Sequence, residues 1–218
     1  RAIAAEEPIR AVVFKGKASM CHIDVGYQEC QTLRDTTRTL VEKEEERSEL
    51  NRQSEALLDR IREGEEGAAE ARSAVTDELE DVESELDELR EGNICEHYHN
   101  NLVENTDAFF EWLFGDVRTP EEIYAYAEER QLCGYELLKE GMETVDLVVC
   151  NYHHLLDPAI REQFFRWLGR EPEEVVTVFD EAHNIEATAR DHANRTLTEN
   201  TLEEALAELD DVDDSRAA

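Results

Sequence analysis

Short apolar runs in the sequence predict three β-strands. Residues 10–14 and 145–150 form the first two runs, and residues 175–179, with three valines and a phenylalanine, form the third. Apolar-rich runs of this length are typical of buried strands in a parallel sheet. A helical pattern over residues 159–168 lies between the second and third runs, and we expect it to be the crossover that places those two strands in parallel.

Two acidic residues, Asp180 and Glu181, directly follow the third run. In open α/β sheets, ligands bind beyond the carboxyl ends of the strands, so this pair indicates a magnesium–nucleotide site. One carboxylate would hold the metal, directly or through water, and the other would orient or deprotonate a water molecule. The alternative is an ordinary strand end followed by a polar loop.

A long helical segment is predicted over residues 32–91, which are rich in Glu, Arg, Leu and Ala and contain no proline. The second half has a clear heptad stripe at Val75, Leu79, Val82, Leu86 and Leu89. Gly64 and Gly67 separate the halves, and each would cost about 1 kcal/mol inside a helix. We therefore expect an antiparallel hairpin of two helices, of about 30 and 25 residues, acting as a spacer or rigid arm. One long helix that dimerises is the alternative.

Capping residues predict the shorter helices. An aromatic-rich helix is expected over residues 105–114, capped at Asn105 or Thr106, and another begins at Pro120 after the cap residue Thr119. Helical spacing also marks residues 134–139 and 185–189, and a further acidic helix is expected from Asn200.

The formal net charge is −33, from 55 acidic and 22 basic residues, and the acids are spread through the periodic segments. This distribution predicts a halophilic protein, folded in molar salt, where the Debye length is about 3 Å. Any binding to nucleic acid would then depend on stacking and specific contacts. The sequence has no 18-residue apolar run and no visible signal peptide, so we expect no membrane partner and a cytoplasmic location. We also expect a piece of a longer protein, because it starts at Arg1 without methionine.

Four of the five cysteines are candidate metal ligands: Cys21, Cys30, Cys95 and Cys133. The fifth, Cys150, ends a predicted strand and fits a small buried hydrophobe. Four thiolates suit either tetrahedral zinc or an iron–sulfur cluster, and scattered core cysteines are the alternative, since the spacing matches no short metal motif. Because Cys30 and Cys95 bracket the predicted hairpin, its two ends would bring them together.

The order of these motifs resembles that of the XPD-type superfamily-two DNA helicases. Besides the four cysteines, the most specific matches are Asn-Tyr-His-His-Leu-Leu-Asp-Pro at 151–158 and Asp-Glu-Ala-His-Asn at 180–184. The resemblance covers roughly residues 10–200, apart from the hairpin.

The resemblance implies a 4Fe–4S cluster bound by Cys21, Cys30, Cys95 and Cys133. It also implies that Asp180 helps to hold Mg²⁺, that Glu181 positions the attacking water in ATP hydrolysis, and that His183 couples the nucleotide site to the rest of the motor. Lys17, Tyr135 and Lys139 look like counterparts of the residues that contact single-stranded DNA in that family. Ordinary surface side chains are the alternative for these three.

Two features depart from the family pattern. No Gly-x-x-x-x-Gly-Lys-Ser/Thr phosphate loop occurs in the sequence, so we expect this loop before Arg1, a second motor domain after Ala218, and no ATP hydrolysis by this piece alone. The hairpin is also longer than the family's usual link between the second and third cysteines.

The resulting expectation is an α/β fold: part of a RecA-like parallel-sheet motor domain with an inserted, mainly helical 4Fe–4S domain. The expected boundaries are 1–18 and 141–195 for the motor domain, 19–140 for the cluster domain with its hairpin at 32–92, and 196–218 for the start of an arch-like domain. The expected function of the whole protein is ATP-dependent unwinding of single-stranded or forked DNA, 5′ to 3′, in nucleotide excision repair. The alternatives are a zinc-binding coiled-coil module without motor activity and a helicase paralogue with a nuclease or damage-response role.

Overall fold

The computed structural model describes residues 9–193 and residue 202. The chain divides into two compact units, one ending at Cys150 and one beginning at Asn151, and each is described by itself. The acidic helix expected from Asn200, and the domain expected at 196–218, lie outside the described residues except for Leu202.

A two-stranded parallel sheet forms one end of the first unit. Strand β1 is Ala11–Phe14 and strand β2 is Leu147–Cys150, with Ala11 opposite Leu147 and Phe14 opposite Cys150. Val12 and Phe14 are each only 2% exposed, so one face of β1 belongs to the core. The two strands are far apart in sequence, and the helical part of the unit is inserted between them.

The prediction of a third strand at residues 175–179 is wrong for the part of the chain that the structure describes. Residues 175–179 form no strand and pair with no other segment among the described residues. Val176 and Val178 are 91% and 88% exposed. A strand exists through hydrogen bonds to a neighbouring strand, and here the parallel partner of β2 is β1. The expected β2–helix–strand crossover unit is therefore absent from the described residues.

Two long helices form a hairpin over residues 27–91. Helix α1 is Tyr27–Arg62 and helix α2 is Ala68–Glu91. The connection contains Gly64 and Gly67, with φ angles of 80° and 84°, a left-handed conformation that glycine adopts without steric cost. Helix α1 starts five residues before the expected boundary at 32, so Cys30 lies within its first turns.

An apolar seam and ion pairs join α1 to α2. The buried residues of the seam are Leu40, Leu50, Val82 and Leu86. Lys43 pairs with Glu85 at 2.6 Å, and Glu44 on α1 pairs with Arg90 at the end of α2 at 2.9 Å. These pairs place the end of α2 beside the middle of α1, and the short connection joins the end of α1 to the start of α2, so the helices are antiparallel.

Four shorter helices complete the first unit: α3 Glu96–Val103, α4 Asp107–Phe114, α5 Pro120–Glu129 and α6 Gly134–Gly141. Helix α5 begins with the predicted cap: the Thr119 hydroxyl accepts from the Glu122 N–H, and the Glu122 carboxylate accepts from the Thr119 N–H. The apolar centre of these helices consists of Phe109, Leu113, Ile123, Leu137 and Leu138.

The described part of the second unit contains α7 His153–Leu156, α8 Pro158–Leu168 and α9 Ile185–Ala193. Much of the 151–158 motif stabilises these helices. The Asp157 carboxylate caps α8 by accepting from the N–H groups of Ala159 and Ile160. Buried His154 packs its ring against Phe164, with a centroid distance of 5.2 Å. Across the described residues, no helix combines the length and apolar character needed to cross a membrane.

Candidate functional site

The four predicted cysteine ligands come from four different segments of the first unit. Cys21 follows the short 3₁₀ helix Lys17–Ser19, and Cys30 lies in the first turns of α1. Cys95 and Cys133 occupy the residue before α3 and the residue before α6, respectively. The site therefore depends on the packing of α1, α3 and α6 at the base of the hairpin.

Two of these cysteines pack together, since Cys133 lies against the buried cluster of Leu33, Cys95 and Tyr98. Burial raises the pKa of the Cys95 thiol, and Cys30 and Cys21 raise it further. Burial also raises the pKa of Cys133, to about 12, with smaller contributions from Glu136, Cys95 and Cys21. The structure thus packs Cys133 with Cys95, and Cys30 lies on α1 three residues before Leu33 of the same cluster. For Cys150, by contrast, burial alone raises the pKa, to about 11.

A buried hydroxyl attaches the Cys95 backbone to the hairpin. Thr37 on α1 is fully buried, and its Oγ1 donates to the Leu33 carbonyl at 2.6 Å and accepts from the Cys95 N–H at 3.0 Å. Leu33 and Tyr98 pack with Cys95 in a small apolar cluster. The segment that carries Cys95 is thereby positioned one to two turns from Cys30.

The Cys133 backbone is attached to α3. The Asn101 side chain accepts from the Cys133 N–H at 2.8 Å and donates to the Cys133 carbonyl at 3.0 Å. The Cys133 N–H also donates to the His97 carbonyl at 3.1 Å. The rings of His22 and His97 lie 4.9 Å apart, which joins the segment after Cys21 to the same helix.

A buried ion network links α1 to α6. Glu136 forms ion pairs with Arg34 at 2.8 Å and with Lys139 at 2.7 Å, and all three side chains are at most 18% exposed. Burial lowers the pKa of Lys139, although Glu136 acts in the opposite direction. Burial would also lower the pKa of Arg34, but Glu136 and Tyr98 outweigh it and raise that pKa. Two cations therefore share one carboxylate beside the thiols.

Of the three predicted DNA-contacting residues, Lys139 belongs to this network and Tyr135 lies beside it. Lys17 Nζ donates to the carbonyls of Val25 and Gly26, both at 2.9 Å, and so shapes the loop before α1. Lys139 lies 5.4 Å from the centre of the Tyr135 ring. Burial, followed by Glu136, raises the pKa of Tyr135. Lys17 and Lys139 therefore also have structural partners.

Four cysteine thiols are, by their chemistry, the donor set of a 4Fe–4S cluster. Among the described residues, no group of three or more His, Cys, Asp or Glu side chains is arranged to hold a metal ion. The backbone of Cys95 is held by Thr37 and that of Cys133 by Asn101.

The predicted nucleotide motif lies in the second unit and faces solvent. Asp180 Oδ1 accepts from the Glu181 N–H at 2.9 Å, and Glu181 has a positive φ of 50°. His183 Nδ1 lies 3.2 Å from Glu181 Oε2, and both side chains are about two-thirds exposed or more. Carboxylate oxygens are the ligands that Mg²⁺ prefers, so this donor set fits the predicted ion.

Sequence reasoning missed the residues that hold this site together: Thr37, Arg34, Asn101 and Glu136. The sequence contained an indication only for Arg34, because this residue lies four residues after Cys30 and therefore on the same face of α1. The other three act through backbone hydrogen bonds or ion pairs between distant segments, which leave no periodic pattern in a sequence.

The chain is similar to one known protein family and to several individual proteins. The DEAD_2 family matches residues 1–202. The chain is 30% identical over 145 residues to the general transcription and DNA repair factor IIH helicase subunit XPD/RAD3 of Saccharomyces cerevisiae, covering 60% of this chain and 18% of that protein. It is 34% identical over 131 residues to the Fanconi anemia group J protein homolog of Gallus gallus, covering 58% and 10%. It is 27% identical over 119 residues to the regulator of telomere elongation helicase 1 homolog of Caenorhabditis elegans, covering 54% and 12%.

The matched region is thus less than a fifth of the length of each of these relatives. The family match extends over nearly the whole chain, and it agrees with the resemblance to XPD-type helicases. The chain belongs to the DEAD_2 family.

Proposed function

We propose that this chain is part of an ATP-dependent DNA helicase in which Cys21, Cys30, Cys95 and Cys133 hold a 4Fe–4S cluster. The observation that carries this proposal is the DEAD_2 match over residues 1–202, and the packing of Cys133 against the buried cluster that contains Cys95 supports it. A role in DNA unwinding is supported by the helicase names of the yeast and nematode relatives.

The role of the cluster domain would be to present a rigid wedge to DNA. When bound, a cluster would cross-link the four segments that carry the cysteines. The chain's own contacts already prepare that arrangement: Thr37 holds Cys95, Asn101 holds Cys133, and Glu136 joins α6 to Arg34 on α1. Lys17, Tyr135 and Lys139 would then lie on the path of the separated single strand.

The acidic motif would serve the motor. Asp180 would contribute oxygen ligands to Mg²⁺, and Glu181 would orient the water that attacks the terminal phosphate of ATP. His183 contacts Glu181 directly, and this contact supports the coupling role proposed for it. Hydrolysis would also need a phosphate loop, which this sequence does not contain.

We further propose that unwinding runs 5′ to 3′ and serves nucleotide excision repair. The yeast relative, whose name describes a DNA repair factor, supports the repair role, and the polarity follows from the resemblance to XPD-type helicases.

The test compares two cysteine variants of the full-length protein. Cys133→Ser removes one thiol of the site, and Cys150→Ser removes the thiol outside it, as a matched control. We expect Cys133→Ser to abolish duplex unwinding while much of the ATP hydrolysis remains, and Cys150→Ser to retain both. Unwinding at the wild-type rate by Cys133→Ser, in protein without iron, would contradict the proposal.

A further inference from the structure

A surface cavity of about 510 Å³ lies in the first unit, lined by residues of α4, the end of α6 and the residue before β1. Its volume is within the range of ligand-binding pockets, about 300–1,000 Å³. Arg10, directly before β1, and Thr144, shortly before β2, both line it. The cavity therefore lies at the amino ends of the two strands, whereas ligands of open α/β sheets bind beyond the carboxyl ends.

Two aromatic rings form one wall of this cavity. Phe110 and Phe114 lie on successive turns of α4, with ring centroids 6.3 Å apart and ring planes only 17° from parallel. Gly141, at the end of α6, allows the rings to pack closely against its backbone. A Cβ atom at this position would lie 3.0 Å from Phe110 Cε1 and 3.5 Å from Phe114 Cζ. The wall is thus apolar and presents aromatic carbon to the cavity.

One guanidinium of the chain already packs against this wall. The Arg10 side chain lies over the Phe114 ring, 5.4 Å from its centre. Guanidinium groups are planar and weakly hydrated, so they stack on aromatic faces more readily than a compact ammonium group does. The wall therefore has the shape and the chemistry to accept a planar cation.

The charge of the lining also favours a cation. Three carboxylates line the cavity, those of Asp107, Glu111 and Glu140, against the single positive charge of Arg10. All three are exposed. This excess of negative charge disfavours nucleotides, DNA and other phosphates. A metal ion is disfavoured as well, since the part of the chain that the structure describes holds no cluster of three ligating side chains suited to one. An organic cation with a flat head group remains.

We propose that this cavity binds an arginine side chain of a partner protein. The guanidinium would stack beside the Phe110 ring and donate to the carboxylates of Glu111 and Glu140, which accept its N–H groups in pairs. Pockets for small molecules enclose most of the ligand surface, whereas the carboxylates here are exposed. An arginine anchored in a pocket is a common centre of protein–protein interfaces. This inference does not depend on the helicase proposal.

The test measures binding of end-blocked Gly-Arg-Gly to the full-length protein by saturation-transfer NMR. Lysine and citrulline versions of the peptide compare an ammonium and a neutral group with the guanidinium, and agmatine is the free small-molecule probe. Glu140→Gln removes one carboxylate of the lining, and Phe110→Leu removes a ring without changing charge. Glu143→Gln is the matched control, because it removes the same charge at an exposed position outside the lining. All titrations use the same salt concentration, the lowest at which every variant is folded.

We expect the arginine peptide to bind more tightly than the lysine peptide and the citrulline peptide not to bind. Glu140→Gln and Phe110→Leu should each weaken binding about two- to five-fold, the effect of one exposed ion pair or one exposed cation–π contact. Glu143→Gln should bind like the wild type. Because Glu140 is exposed, its replacement should leave the fold intact even if Phe110→Leu unfolds.

Three results would overturn the inference. Equal affinity for the lysine and arginine peptides would show general attraction to an acidic surface, and so would a Glu143→Gln variant as weak as Glu140→Gln. Agmatine binding more tightly than the arginine peptide would assign the cavity to a small guanidinium compound instead of a protein partner. None of these results would affect the helicase proposal.

Discussion

Replacing Thr37 with valine tests whether the hairpin positions the cysteine site. The Thr37 hydroxyl is the buried acceptor for the Cys95 N–H, at 3.0 Å. Valine keeps the β-branched shape and puts a methyl group in place of the hydroxyl, so the change leaves no cavity. The Leu33 carbonyl keeps the helical N–H of residue 37 as its donor. The Cys95 N–H loses its side-chain acceptor.

The magnitude follows from that single buried donor. Leaving a buried polar group without a partner costs about 1–3 kcal/mol. For a chain of this size each kcal/mol corresponds to a change in melting temperature of about 2–4 °C. We therefore expect Thr37→Val to lower the melting temperature by about 2–12 °C, and to accelerate hydrogen exchange of the Cys95 amide.

A matched control exists on the same helix. The Thr39 hydroxyl donates to the Asp35 carbonyl at 3.2 Å but is exposed and has no contact with the cysteine segments among the described residues. Thr39→Val should change stability by no more than about 0.5 kcal/mol. Both variants are compared by thermal unfolding and by hydrogen exchange at constant salt. If Thr37→Val exchanges its Cys95 amide as slowly as Thr39→Val does, the attachment of this site to the hairpin is refuted.

Two further predictions concern the hairpin itself. Leu86→Ala should destabilise the hairpin by about 2–5 kcal/mol in urea unfolding, because this side chain is 1% exposed. If it loses no more stability than Glu83→Ala, a change at an exposed position, the buried apolar seam between α1 and α2 is contradicted. Burial would raise the pKa of Glu44, but Arg90 and His99 outweigh it and lower that pKa. The pair therefore stabilises the fold above the unfolded pKa of about 4.3, and this stability is lost as the pH falls through the folded value. The melting temperature of Glu44→Gln should therefore fall less on acidification than that of the wild type. If the two proteins show the same dependence of melting temperature on pH, this contribution of Glu44 is refuted.

Local signals in the sequence predicted local structure well. The cap at Thr119 and Pro120 forms with Glu122 as expected, since capping involves residues three apart. The heptad positions Val82 and Leu86 are buried, because a helical stripe depends only on spacing.

Features that depend on distant partners were not predictable in this way. Residues 175–179 have the composition of a buried strand, yet strand formation needs a neighbouring strand, and the described residues provide none for them. Helix α3 was missed because its eight residues carry little apolar periodicity. The bonds of Thr37 to Cys95 and of Asn101 to Cys133 join residues 58 and 32 positions apart, and no spacing rule selects such pairs.

The most direct test of the account is the metal content of the full-length protein purified without oxygen. We predict a coloured protein with a broad visible absorbance band and four irons and four sulfides per chain, as a 4Fe–4S cluster requires. The absorbance should disappear in Cys133→Ser and persist in Cys150→Ser. A colourless wild-type protein that contains stoichiometric zinc, or no metal, would contradict the account and favour a coiled-coil module without a cluster.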